Sequence, residues 1–256
     1  MFVFLYPMLP MKTAICSLIL LICSVYTPVL AQFNFDLEGG LILGTTYNKV
    51  QIPSGSGTRV NLPEQLKLDR SAFYRIRASY RIGNRHNISA LFAPLTIHYR
   101  GAVSQNTNFN NSLFLPGQPL NVDYRFNSYR LTYRYDFFAN GKWRVGAGLT
   151  AKARDADIRF KSEYADTHYD NLGFVPLINF YASWKPAYHW AVILEGDALA
   201  AKQGRAEDVF GGIAYNFNNT IAIKLGYRLL EGGADNDKIY NFNWINYASA
   251  GLLITL

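Results

Sequence analysis

Cysteine is almost missing from this chain: two in 256 residues, Cys16 and Cys23, both inside a stretch that reads as a removable export signal. Without that stretch no cysteine is left. A disulfide scaffold, a thiol nucleophile and a cysteine metal site are therefore excluded. Each cysteine follows an isoleucine (Ile15, Ile22), where a lipoprotein signal needs a small residue, so lipid attachment is not expected. Charge is sparse, with Asp, Glu, Lys and Arg at 17%, and there are only four histidines. After Ala31 no window of 18 or more apolar residues occurs, so no spanning helix is expected. No amphipathic helical period takes its place.

What is present begins with the export signal. Met11-Lys12 supplies a start and a charged n-region, Ala14 to Val25 an apolar h-region, Pro28 a helix break, and Val29-Leu30-Ala31 a cleavage site. Residues 1–31 are read as signal, with Met11 as the true start, and residues 32–256 as one folded domain. The apolar stretch is shorter than the ~20 residues of a membrane anchor. Lys12 is the only charge removed, so the net charge falls from +7 to +6. An exported basic chain does not meet nucleic acid as a normal partner; anionic lipid headgroups or an anionic solute suit it better.

Beyond Ala31 the pattern is period two. Tyr74, Ile76, Ala78, Tyr80 and Ile82 alternate with Arg75, Arg77, Ser79 and Arg81. Tyr129, Leu131, Tyr133, Tyr135 and Phe137 alternate with Arg130, Thr132, Arg134 and Asp136. Trp143 to Lys152 and Ile221 to Leu229 repeat the scheme. The strands are longer than the ~5–6 residues usual in soluble sheets. Aromatic residues stand at the ends of the apolar rows: Tyr47, Tyr80, Phe137, Trp143, Trp184, Trp190 and Tyr227. Short connections (83–85, 140–141, 185–188, 218–219) alternate with longer ones (48–66, 101–121, 162–171, 202–207, 231–238). Four short turns and five long loops require ten strands with both termini at the turn end, which is the periplasmic end of an outer-membrane barrel. The fold class is all-β: a transmembrane antiparallel up-and-down barrel of about ten strands. Pro94 and Pro176 fall inside strands, where bulges that shift the register are expected.

From Phe33 to its end the chain resembles the small Gram-negative outer-membrane β-barrel proteins. The last strand carries the resemblance, with Phe242, Trp244, Ala248, Ala250, Leu252, Ile254 and terminal Leu256 on one face; leucine in place of the commoner phenylalanine is a mild departure. The tracts Gly204-Arg205-Ala206-Glu207-Asp208, Tyr227-Arg228 and Glu231-Gly232-Gly233-Ala234-Asp235 are similar to those of uncharacterised members. The resemblance implies a location in the outer membrane, contact with outer-membrane lipid and lipopolysaccharide, and delivery by the barrel-assembly machinery through the C-terminal strand.

The inward rows hold Arg75, Arg77, Arg81, Arg130, Arg134, Arg144, Lys152, Lys185, Lys224 and Arg228, with Asp36, Glu38, Asp136, Glu195 and Asp197. An anion-preferring pore is one reading; a salt-bridged plug is the other. Side chains just fill barrels of about eight strands, and ten leave little more room. The plug is expected, built from Arg75, Arg77, Arg130, Arg134, Arg144, Lys152, Glu195, Asp197, Lys224 and Arg228.

No catalytic, cofactor or metal site is expected. Ten-stranded barrels include the omptin proteases, whose aspartate pair and Asp/His pair lie at the outer rim. Asp166-Thr167-His168 gives one Asp-x-His there, without a second aspartate pair. Asp69 and Asp208 are rim positions with nothing to pair them. His86-Asn87-Ile88-Ser89 puts serine and histidine on opposite strand faces. Glu231 to Asp237 reads as an acidic external turn without the spacing of a calcium loop. The expected role is structural or passive transport, with a charged, plugged lumen. An outer-membrane enzyme, omptin-like or lipid-modifying, and an adhesin or receptor using the long loops are the alternatives.

Overall fold

A computed structural model describes residues 31–69, 71–202 and 204–256. The expected signal lies, up to residue 30, outside the described residues. The elements in chain order are β1 (Ala31–Gln51), β2 (Val60–Asn61), α1 (Leu62–Gln65), β3 (Leu66–Leu68), β4 (Ala72–Ile82), β5 (His86–Ala93), β6 (Thr96–Gly101), β7 (Thr107–Phe109), β8 (Ser112–Phe114), β9 (Leu120–Ala139), β10 (Trp143–Lys161), β11 (Asp166–Trp184), β12 (Trp190–Ala201), β13 (Gly204–Asn216), β14 (Ile221–Asp235) and β15 (Tyr240–Thr255).

Each barrel strand pairs antiparallel with its sequence neighbour, and β15 closes on β1, with Leu37 opposite Leu252. β5 and β6 are two halves of one barrel strand, both laid on β9. The result is a closed ten-stranded barrel. Closure removes the free edges that an open sheet would expose.

The four turn-end connections fall where expected. Asn140 and Asn218 shape two of them: each side-chain oxygen accepts backbone N–H bonds two and three residues on, at 2.7–2.9 Å. This is the mechanism by which asparagine stabilises turns. Two consecutive left-handed residues, Asn110-Asn111 (φ 46° and 63°), join β7 to β8.

Three loop-end connections are much shorter than the sequence indicates: 162–165, 202–203 and 236–239. The residues read as loop extend β11, β13 and β14 instead. β9, β10 and β11 each run 19–20 residues. A tilted membrane strand needs only ~9–11. The surplus projects beyond the loop end, and its side chains reverse polarity there. On β9, Tyr129, Leu131 and Phe137 are exposed while Ser128, Arg130, Arg134 and Asp136 are buried; further along, Val122 and Tyr124 are buried and Asp123 is exposed. On β10, Leu149 and Ala151 point out below, and Ile158 and Phe160 point in above. The half near the turns is apolar outside and polar inside; the half near the loops is polar outside and apolar inside.

The two prolines behave differently. Pro94 interrupts the β5–β6 strand. Between the pair Ile76–Phe92 and the pair Leu68–Tyr99, seven residues of the β3–β4 side face six of the Pro94 strand, a one-residue register shift whose extra residue lies opposite Pro94; against β9 the Pro94 strand keeps its register. Pro176 sits opposite Ala151 in unbroken register, so the expected bulge is absent there. Pairing of β11 with β12 begins only at Ile178, so Pro176 lies on a projecting stretch with a free edge. A proline forfeits no ladder bond on that side.

Candidate functional site

The outer wall of the membrane half is a lipid surface. Leu131, Tyr133 and Leu225 are 60%, 47% and 52% exposed. Paired aromatic rings ring the turn end: Trp143 on Trp184, Phe33 on Tyr80, Trp190 on Tyr215. A second set, Tyr74, Phe92 and Tyr129, with Tyr47 on Trp244, marks the other boundary. Such girdles sit at membrane interfaces.

The interior has three layers. Nearest the turns is a polar cavity of about 940 Å³ that reaches the turn residues Lys142, Lys185 and Asn218. Arg77, Glu195 and Asp197 form its inner limit.

There the ionic layer begins. Asp208 is its hub: one carboxylate oxygen accepts from Arg75 at 2.9 Å and from Arg130, the other from Arg228 at 2.7 Å. Glu38 takes the Arg228 fork at 2.6 and 2.7 Å and Lys224 at 2.8 Å. Lys224 also donates to Asp36 at 2.7 Å. Glu195 accepts from Arg77 at 2.8 Å and faces Lys224 and Arg228 at 3.5 and 3.4 Å. Asp197 is held by Arg130, Thr150 and Asn179 at 2.6, 2.6 and 2.9 Å. Phe210, fully buried, lies under Lys224 and Arg228. Its ring fits because Gly212 and Gly226 carry no side chain; a Cβ at either would lie 2.6–2.7 Å from it.

Above the ionic layer is the apolar core. Ile97, Tyr99, Val122, Tyr124, Ile158 and Phe160 point inward from the projecting strands, and Val60, Leu62, Val103, Phe109 and Phe114 from the two long connections pack onto them. Phe109 stacks on Phe160 with ring centres 4.0 Å apart. Backbone bonds tie the connections together, Thr58 N–H to the Asn108 carbonyl and Asn110 N–H to the Ile52 carbonyl, both 2.8 Å. The two longest external connections are therefore the lid of the barrel.

All ten residues expected in the lumen lie inside it, though not in one cluster. Arg75, Arg77, Arg130, Glu195, Asp197, Lys224 and Arg228 belong to the ionic layer. Lys152, 2% exposed, has no carboxylate within 4.0 Å among the described residues; its ammonium lies 4.8 Å from the Phe126 ring centre. Arg134 and Arg144 sit lower, sharing buried Asp136 at 2.7 and 2.6 Å, with the Arg134 fork over Tyr181. Asp208 is the residue the sequence reading misplaced: it is 2% exposed, not a rim group. Its strand begins at Gly204, and the outward row Val209, Gly211, Ile213 sets Asp208 on the inward face. Asp69 is paired too, with Arg100 at 2.8 Å. Glu231 is no loop residue: it is buried on β14 and accepts from Arg205 at 2.8 and 2.9 Å.

Three carboxylates, of Asp36, Glu38 and Glu195, converge closely enough to hold a metal ion. The Lys224 ammonium already stands among them as the compensating cation. The two outer histidines each meet an aspartate, His98 with Asp123 at 2.6 Å and His168 with Asp157 at 3.0 Å. Both pairs are on adjacent strands and on the outward wall, facing away from the interior. Beside them Arg159 grips Asp166, and those hydrogen bonds hold its carboxyl below the ordinary value.

No protein-family model matches the chain, and no curated protein matches it. Solved structures do. The outer membrane protease OmpT from Escherichia coli aligns over 88% of this chain and 97% of its own, at 10% identity and a TM-score of 0.53. Neisserial surface protein A covers 88% of this chain and 96% of its own, at 14% identity and a TM-score of 0.34. The translocator domain of the autotransporter NalP from Neisseria meningitidis covers 95% and 94%, at 10% identity and 0.43. At 10% identity the likeness to the OmpT structure is one of fold.

Proposed function

We propose, from the premise that this chain has the fold of a bacterial outer-membrane β-barrel, that it is a non-conducting barrel with a structural role, its lumen shut by the ionic layer and the apolar lid. The observation that carries this is the stacking of two independent seals. The first is a layer in which Glu38, Glu195, Asp197, Asp208, Lys224 and Arg228 are each under a tenth exposed. The second is an apolar core roofed by the long connections. A hydrated ion would have to displace paired charges, then cross apolar packing. Moving one partner out of a buried pair costs about 3–5 kcal/mol.

An acid–base role like that of a protease is less well supported. His98 and His168 are 50% and 59% exposed, and each meets one aspartate on the outward wall, away from any cavity described above. The outward wall above the girdle has Arg100, Arg125, Arg159 and Lys161. That height and charge suit lipopolysaccharide headgroups, and the outward row of β15 suits the assembly machinery.

The test is conductance in a planar bilayer, with wild type, Glu195→Gln, Asp197→Asn and the double variant, alongside urea unfolding in lipid. Wild type should pass no steady current, and each variant should be destabilised. Steady ohmic channels from wild type, or variants as stable as wild type that conduct anions, would overturn the proposal.

A further inference from the structure

Below the ionic layer the cavity is a cup: closed above, bounded by the barrel wall, and reaching the turn end. Its lining is unbalanced in charge. Six bases line it (Arg77, Arg81, Arg134, Lys142, Arg144, Lys185) against three acids (Asp36, Glu195, Asp197). The acids all lie at the roof and are already engaged: Asp36 by Lys224, Glu195 by Arg77, Asp197 by Arg130. Behind the wall lies buried Asp136, whose two oxygens are taken by Arg134 Nε and Arg144 Nη1. Arg81 commits Nη1 to Gln32 at 3.1 Å, while its Nε is buried without an acceptor. Lys185 makes no ion pair among the described residues.

A guanidinium partly withdrawn from water gains most when an anion faces it. Several forks with uncommitted donors converge on one space, and forks of that shape bind carboxylate and phosphate in bidentate fashion. Between them the wall is neutral and rich in hydrogen-bonding groups: Asn34, Asn87, Ser89, Thr132, Asn179 and Ser183. Such groups suit hydroxyls. Tyr181, half-buried beside Arg134, adds an aromatic face. A volume of about 940 Å³ lies within the range of small-molecule sites, roughly 300–1,000 Å³.

We infer that the turn-end cup is a binding site for a small, multiply hydroxylated organic anion, a phosphorylated saccharide by class, taken up from the periplasmic side. Arg81, Arg134, Arg144 and Lys185 hold the anionic group, and the asparagine and serine side chains hold the hydroxyls. The site rests on the closed-lumen reading, because a cup needs a roof.

The experiment is titration calorimetry on the folded barrel in zwitterionic detergent, with glucose 6-phosphate, inorganic phosphate and neutral glucose as probes. Saturable binding of glucose 6-phosphate is expected, tighter than inorganic phosphate, with glucose at least tenfold weaker. Arg81→Gln and Lys185→Gln break no ion pair of the ionic layer, and each should weaken the phosphorylated probe several-fold. Arg100→Gln, at the loop end, should leave it unchanged. Equal affinity for glucose, no saturable binding at 0.15 M salt, or affinity indifferent to Arg81 and Lys185 would sink the inference. Bilayer conductance of the same preparation separates the two failures. A conducting barrel overturns the closed lumen; a silent barrel that ignores all three probes overturns the cup alone.

Discussion

Asp208 shows how one inward carboxylate can organise a lumen. It accepts from Arg75, Arg130 and Arg228, which come from three different strands, so it staples β4, β9 and β14 to β13. Asp208→Asn keeps the shape but removes the charge that compensates three guanidinium groups. Removing one partner of a buried pair costs about 3–5 kcal/mol. The expected result is a loss in that range by urea unfolding in lipid vesicles. Asp166→Asn, in the exposed pair with Arg159, should leave the unfolding midpoint close to that of wild type. Equal effects at the two positions would show that the lumen is as wet as the surface. Most of the network was legible in the sequence: Arg75, Arg77, Arg130, Glu195, Lys224 and Arg228 stand in clean alternation with apolar neighbours. Asp208 escaped because it stands near a strand end. Its neighbours Arg205, Ala206 and Glu207 have no apolar period, so the strand appeared to begin at Val209.

At the scale of the element, the decisive feature is the reversal of polarity along single strands. On β9 the apolar residues occupy even positions at Leu120, Val122, Tyr124 and Phe126, and odd positions from Tyr129 to Phe137. A strand's side chains keep period two throughout, so a change of phase means a change of environment. The outer face meets hydrocarbon below and water above; the inner face does the opposite. The phase change is in the sequence and is the signal that could have identified the projecting half. The loops were overestimated because polar outward residues such as Asp166, His168 and Asp170 look like loop composition when the inward residues between them, such as Tyr169, are not followed. The reversal makes a paired prediction. Leu225→Arg, on the lipid face, should cost about 2–4 kcal/mol near the midplane. Phe160→Ala, in the projecting half, should cost about 3–5 kcal/mol as a core truncation, despite lying on a strand whose membrane half has a polar interior. Both are read by unfolding midpoints in lipid. A neutral Phe160→Ala would mean that the lid does not pack.

For the whole molecule, the barrel joins a membrane-type half to a half built like a soluble domain, with the long connections folded onto the latter. Such a body should migrate as a compact species on unheated gels and shift on heating. Export predicts that its membrane-extracted form begins at Gln32. Intact mass and N-terminal sequencing check this, and a retained Met11 segment would count against a cleaved signal.

The sequence by itself determined the strand count, the turn end, the lipid-facing rows and the basic excess inside. Each follows from local rules: period two, asparagine turns, aromatic girdles, and the polarity a membrane demands of an outward face. Only the tertiary structure decided three things. It paired each carboxylate with bases from distant strands, as Arg130 of β9 meets Asp208 of β13. It folded the two long connections onto the projecting strands as a lid. It left the turn end as an open, basic cup. Which charges meet across a lumen depends on strand stagger and closure around the whole ring, and no stretch of sequence encodes that alone.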